Sequence, residues 1–118
     1  MNPAFSNMEN RGMNLALDYD DTYTRDPIFW DAVIDLAQKR GHKVYCITAR
    51  HDTPINHNEV HRDLGKLIGT DACLFTSMMA KKKYAYSKGI NIDVWIDDMP
   101  VFVDTGLKDE NDFTSLWI

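Results

Sequence analysis

Residues Leu15-Ala16-Leu17-Asp18-Tyr19-Asp20-Asp21-Thr22 join a short apolar run to three acids and a hydroxyl side chain. An apolar run of this length reads as a buried strand. The acids then stand at its C-terminal end, where open α/β sheets build their sites. Asp18 and Asp20 are two residues apart, so on a continuing strand both would face one side. Crowded carboxylates repel, and one of them resists ionising unless a cation sits between them. The pattern asks for Mg²⁺, a hard ion that takes oxygen ligands. Two more strand-like runs end in polar groups: Lys43 to Thr48 ends in a hydroxyl, and Ile92 to Ile96 is cut off by Asp97-Asp98. The lysine run Lys81-Lys82-Lys83 precedes the second of these. Such a set can carry out phosphoryl transfer. A carboxylate attacks phosphorus, a metal neutralises the phosphate, and a hydroxyl and an ammonium hold its remaining oxygens.

The elements that must position these groups follow from periodicity and punctuation. Asn14 to Asp18 is the first strand. Asp26-Pro27 is a helix start, with Asp as N-cap and Pro at the first helical position. Trp30, Val33, Ile34 and Ala37 give that helix one apolar face, and Gly41 ends it. Lys43 to Thr48 is the second strand. The segment His51 to His57 reads as a loop. Val60, Leu64, Leu67 and Ile68 then repeat helically up to Gly69. Ala72 to Phe75 is a third strand, and Met79 to Lys88 a short helix stopped by Gly89. Ile92 to Ile96 is a fourth strand. Val101 to Val103 begins a short helix or an extended piece, and Phe113 to Ile118 is apolar enough for a fifth strand. Alternating strands and helices with short loops predict an α/β fold. The expected architecture is a Rossmann-like three-layer sandwich with a mainly parallel central sheet. In a parallel sheet all strand C-termini share one edge, so the polar strand ends can converge. Residues 1–12 hold three Asn and no periodicity, and read as a flexible N-terminal arm. Residues 13–118 then form a single domain.

Composition narrows the function classes. A chain of 118 residues is one domain with a real core. The net charge is −5, and Asp18, Asp20, Asp21, Asp97 and Asp98 account for all of that excess. There is no global basic field for duplex nucleic acid. No apolar run approaches a membrane span and no targeting segment stands at the start, so a cytoplasmic location is expected. Cys46 and Cys73 lie inside apolar runs and read as small buried hydrophobes, not a disulfide framework.

The four pieces in this order resemble the haloacid dehalogenase superfamily of Mg²⁺-dependent phosphohydrolases. Its pattern is an apolar strand followed by D-x-D-x-T, a strand ending in Thr or Ser, a lysine, and a strand ending in an acidic pair. The matches are Asp18-Tyr19-Asp20-Asp21-Thr22, Ile47-Thr48, a lysine in 81–83, and Ile96-Asp97-Asp98, spanning about residues 13 to 100. The resemblance implies that Asp18 is a nucleophile forming an aspartyl-phosphate. It implies that Asp20 protonates the leaving group and then activates water. Thr22 would brace the turn. Thr48 would bond the phosphoryl oxygens and a lysine would neutralise them. Asp18, the backbone carbonyl of Asp20, Asp97 and Asp98 would hold Mg²⁺, Asp98 directly or through water. Adjacent lysines on a helix point about 100° apart, so one of the three aims at the site. Lys81, nearest the helix start, is the choice. The response-regulator receiver domain shares size, Mg²⁺ and residue types, but its acidic pair precedes the acceptor and its lysine comes last.

The connections leave no room for a cap domain. An uncapped site admits large substrates, or is covered by a neighbouring subunit of a homo-oligomer. Arg50 is the best candidate beyond the motifs for contact with a substrate phosphate. His57 and His61 stand i, i+4 on a helix, a spacing that can bind zinc, although a contact with substrate phosphate or base is the better reading. Tyr23, Arg25 and Trp30 flank the first motif and could stack on a ring; for Trp30, core packing is expected. The sequence thus predicts a phosphoric monoester hydrolase acting on a small phosphorylated substrate, of nucleotide or nucleic-acid-end type. The alternative is a binding protein that sequesters a phosphorylated nucleotide with little turnover. The Asp18/Asp20 pair favours the enzyme, because a pure binder needs no acid/base.

Overall fold

In the computed structural model, which describes residues 12–106, the first apolar run becomes β1 (Asn14–Leu17). The strand stops one residue before Asp18, although the Asp18 N–H still donates to the Ile96 carbonyl at 2.9 Å. From Tyr19 the chain turns instead of continuing. Asp21 takes a left-handed φ of 61°, and a 3-10 turn covers Tyr23–Arg25. Strand alternation therefore does not place Asp20; the turn does.

Next comes α1 (Pro27–Lys39), which starts as its Asp-Pro signal predicts. The Asp26 carboxylate accepts from the Phe29 N–H at 3.2 Å. The turn after the helix passes through Gly41 at φ 84°, a conformation that favours glycine. β2 (Lys43–Thr48) is buried along almost all its length. α2 (Pro54–Ile68) begins inside the segment expected to be a loop. Thr53 caps it by accepting from the Asn56 N–H at 3.4 Å, and Pro54 fills the first helical position. This is the same device as Asp26-Pro27.

A 3-10 turn then leads into β3 (Cys73–Phe75). α3 (Lys81–Ser87), β4 (Val94–Ile96) and α4 (Val101–Asp104) complete the described chain. The expected strand at Phe113 to Ile118 lies outside the described residues, as does the N-terminal arm before Gly12.

Among the described residues the sheet is four-stranded and all parallel, in the order β3-β2-β1-β4. Alternate residues feed two cores. Leu17, Val44, Cys46 and Phe75 pack with Ile34 and Ala37 of α1 and Val60 and Leu64 of α2. Ala16, Tyr45 and Ile47 pack on the other face with Ala85 of α3. The result is a small Rossmann-like α/β fold in three layers. Crossovers of one hand that step outward from β1 to β3 keep their helices on one face. The return past β1 to β4 must then carry its helix on the other. Cys46 and Cys73 are free, buried, and opposite each other in register on β2 and β3. Each strand-to-strand connection among the described residues holds one α-helix, with no cap between them.

Candidate functional site

The reversal in the order of strand addition puts β1 between β2 and β4. Ligands of open α/β sheets bind at such a reversal, outside the carboxyl ends of the strands. Asp18 follows β1, Thr48 ends β2, and Asp97 and Asp98 follow β4, so adjacent strands deliver all four to one edge.

Lys81, the first residue of α3, reaches into this cluster. Its Nζ lies 2.8 Å from Asp18 Oδ1 and 2.5 Å from Asp97 Oδ2. Only 2% of Lys81 is exposed, whereas Lys82 and Lys83 lie on the exposed side of the helix. The other Asp97 oxygen accepts from the Met99 N–H at 2.9 Å, which fixes the carboxylate. Thr22 Oγ1 stands 3.5 Å from Asp18 Oδ2 and 3.4 Å from Asp98 Oδ1, and accepts from the Asp98 N–H at 3.3 Å. The hydroxyl thus ties the first motif to the last.

Burial pushes the Asp18 carboxyl up from 3.8 to about 7, and the Lys81 ammonium only partly offsets this; Asp98 and Asp97 push it the same way as burial. A carboxylate in this place needs more positive charge than Lys81 supplies to stay ionised at neutral pH. Oxygens of Asp18, Asp97 and Asp98 lie within 4.8 Å of one another. Three carboxylates beside one ammonium carry a formal charge of −2, which one divalent cation balances. The donors are all hard oxygens, so the residues present fit Mg²⁺. The Asp20 carboxylate stands outside this grouping. Its backbone carbonyl accepts no bond from a described backbone N–H.

Asp20 and Arg50 meet each other. Arg50 Nε and one terminal nitrogen donate to the two Asp20 oxygens, both at 2.8 Å. The remaining donors go to Glu59 at 2.6 and 3.4 Å and to Asn56 at 3.2 Å. The guanidinium carbon lies 5.0 Å from the centre of the Tyr19 ring. The Arg50 backbone N–H donates to Thr48 Oγ1 at 3.2 Å, leaving that hydroxyl's hydrogen available to a ligand. Sequence reasoning did not single out Asn56 and Glu59. Their i, i+3 spacing marks one helix face, but the signal was hidden once 51–57 read as a loop.

A cavity of about 240 Å³ opens over the cluster, lined by Asp18, Asp20, Thr48, Lys81 and Asp97 with Met78, Met99 and Phe102 at its apolar side. Met78 and Ser77 have φ of 70° and 54°. Their N–H groups donate to Ala49 and Arg50 carbonyls at 2.9 and 3.0 Å, which locks the loop after β3 to the loop after β2. A second cavity of about 330 Å³ shares Asp21, Asp97 and Asp98 and extends to Arg25 and Trp30. Trp30 packs against the core and edge-on to Phe29.

His57 and His61 do share a face of α2, with ring centres 5.0 Å apart. His57 stacks on Phe75 at 4.3 Å and pairs with Asp52. Among the described residues, the histidines join no group of three metal-ligating side chains. No family model matches the chain, and neither does any curated protein or solved structure.

Proposed function

We propose that this protein is a Mg²⁺-dependent phosphatase that hydrolyses a phosphomonoester through an aspartyl-phosphate on Asp18, as its resemblance to the haloacid dehalogenase superfamily implies. The observation that carries the reading is the buried Lys81 ammonium held between Asp18 and Asp97. Buried ion pairs are a poor route to stability, since apolar packing of the same volume is often as good or better. Titratable groups with strongly perturbed pKa values that cluster in a cleft mark functional sites instead.

The roles are those the resemblance implies. Asp18 Oδ attacks phosphorus, and the phosphorus–oxygen bond to the leaving group breaks. Asp20, at the solvent side of the cavity, enters this step as the carboxylic acid and gives its proton to the departing oxygen, leaving the carboxylate. A water then gives its proton to Asp20 and attacks the aspartyl-phosphate, freeing inorganic phosphate and regenerating Asp18. Thr48 Oγ1 and Lys81 Nζ hold phosphoryl oxygens as charge moves onto them. Mg²⁺, when bound by Asp18, Asp97, Asp98 and the Asp20 carbonyl, supplies further charge neutralisation. The apolar side formed by Met78, Met99 and Phe102 suits a nucleoside or a nucleic-acid end as leaving group. Phosphate release from a panel of nucleotides, phosphorylated oligonucleotides and sugar phosphates, with Mg²⁺ and with EDTA, tests the proposal. Mg²⁺-dependent release from at least one class is expected; none from any class would overturn it.

A further inference from the structure

We infer that Arg50 is a positioning residue for Asp20 rather than a ligand for substrate phosphate, with Glu59 and Asn56 of α2 as its anchors. A guanidinium has five N–H donors and no acceptor. In this structure two go to Asp20, two to Glu59 and one to Asn56, so none is left to aim at a phosphoryl group. The paired bonds to Asp20 are the bidentate geometry that fixes a carboxylate in orientation as well as position. Asp20 needs such support. It sits on a turn, not on a strand, and its side chain is 49% exposed. Without a partner it would be free to rotate away from the leaving-group oxygen. Arg50 is itself held from both ends: its backbone N–H donates to Thr48, its carbonyl accepts from the Ser77 N–H, and its guanidinium lies against the Tyr19 ring. Glu59, Arg50 and Asp20 therefore form a relay in which a helix orients an acid/base through one intermediary. It follows the logic by which catalytic bases are oriented by a third group.

The inference rests on the acid/base role proposed for Asp20, and the test separates the two. Arg50→Ala, Arg50→Lys and Glu59→Gln are assayed alongside Asp20→Asn and the Asp20→Asn/Arg50→Ala pair, with inorganic phosphate as competitive inhibitor. Removing an outer-shell orienting group costs about 10- to 100-fold in activity. Arg50→Ala should lower kcat by about that factor while the phosphate inhibition constant stays within about twofold. Arg50→Lys should recover little, because an ammonium cannot reproduce the fork. Glu59→Gln should lower kcat in the same direction and less. The double variant should be no slower than Asp20→Asn alone, since Arg50 acts through Asp20. A weakened phosphate inhibition constant with kcat preserved would overturn the inference, and so would full additivity in the double variant. Should Arg50→Ala fail to fold, the Arg50→Lys and Glu59→Gln pairings with Asp20→Asn carry the same comparison. A wild type that releases no phosphate from any substrate overturns the phosphatase reading and this inference with it. An active wild type with additive losses overturns the role of Arg50 alone.

Discussion

Lys81 Nζ lies 2.8 Å from Asp18 Oδ1 across 63 residues of sequence, and so fastens the start of α3 to the end of β1. The pair joins opposite edges of the chain's path. Among the described residues β1 is the first strand in sequence, and α3 belongs to the crossover that returns over the sheet to β4. Folding of the second half is thereby coupled to the geometry of the first motif.

Replacing Lys81 with Met keeps the stem and removes the charge. Asp18 and Asp97 would then be buried beside each other without their counter-charge. Loss of one partner from a buried ion pair typically costs about 3–5 kcal/mol. Denaturant unfolding of the metal-free protein at pH 8 should show a loss of that order. A change under about 1 kcal/mol would mean that solvent already screens the cluster.

Mg²⁺ should raise the melting temperature, because it relieves repulsion among Asp18, Asp97 and Asp98 and binds only the folded state. Thermal melts in EDTA and in millimolar Mg²⁺ check this. Asp98→Asn should shrink the Mg²⁺-induced shift. Identical midpoints for the wild type in both buffers would argue against a metal centre at these carboxylates.

In the metal-free protein Asp18 should contribute a loss of stability as pH rises from about 4 to about 7. The folded-state pKa of Asp18, about 7, lies above its ordinary value of 3.8. The folded state thus holds that proton more tightly than the unfolded chain. The resulting stabilisation is complete below the ordinary value and is lost as pH climbs through the folded one. Asp18→Asn cannot titrate, so this fall should be missing from its melting temperatures over the window. Parallel pH series of the two proteins would expose an error if their slopes coincide.

The sequence revealed the sheet and the edge that carries the site more fully than the contacts within that edge. Strand-end chemistry was readable because parallel strands oblige Asp18, Thr48 and Asp97 to share an edge once their order is known. Lys81 could be preferred over its neighbours because only the first turn of α3 adjoins that edge. The Arg50–Asp20 pair was not readable. It depends on the turn at Asp21, whose left-handed φ of 61° no glycine announced, and on the start of α2 at Pro54. The Thr53-Pro54 cap carried the same information as Asp26-Pro27. It was masked by polar residues on both sides, which lowered the apolar periodicity of the first turn. Arg50 looked free to meet a phosphate because Asn56 and Glu59 were not yet on a helix facing it.

Asp20→Asn should separate catalysis from sequestration. The substitution conserves volume, and the amide oxygen can still accept one of the two Arg50 bonds, while the amide nitrogen, a donor, loses the other; the backbone turn should remain in place. What disappears is a group able to give a proton to the leaving oxygen and later take one from water. General acid–base help is typically worth about 10²- to 10⁴-fold in rate. Asp18, Thr48 and Lys81 are untouched, so affinity should change little. For an enzyme, then, kcat falls by about that factor with binding preserved, the pattern of a group that acts mainly in the transition state. A sequestering protein would behave differently even without the substitution: the wild type would return its nucleotide chemically intact after long incubation with Mg²⁺. Calorimetry on a panel of nucleoside monophosphates gives the affinities, and chromatography of the recovered nucleotide gives its chemical state. Tight binding by the wild type with intact nucleotide throughout would replace the phosphatase with a binder. Phosphate released by the wild type, and released at least about 100-fold more slowly by Asp20→Asn, would assign the acid/base role to Asp20.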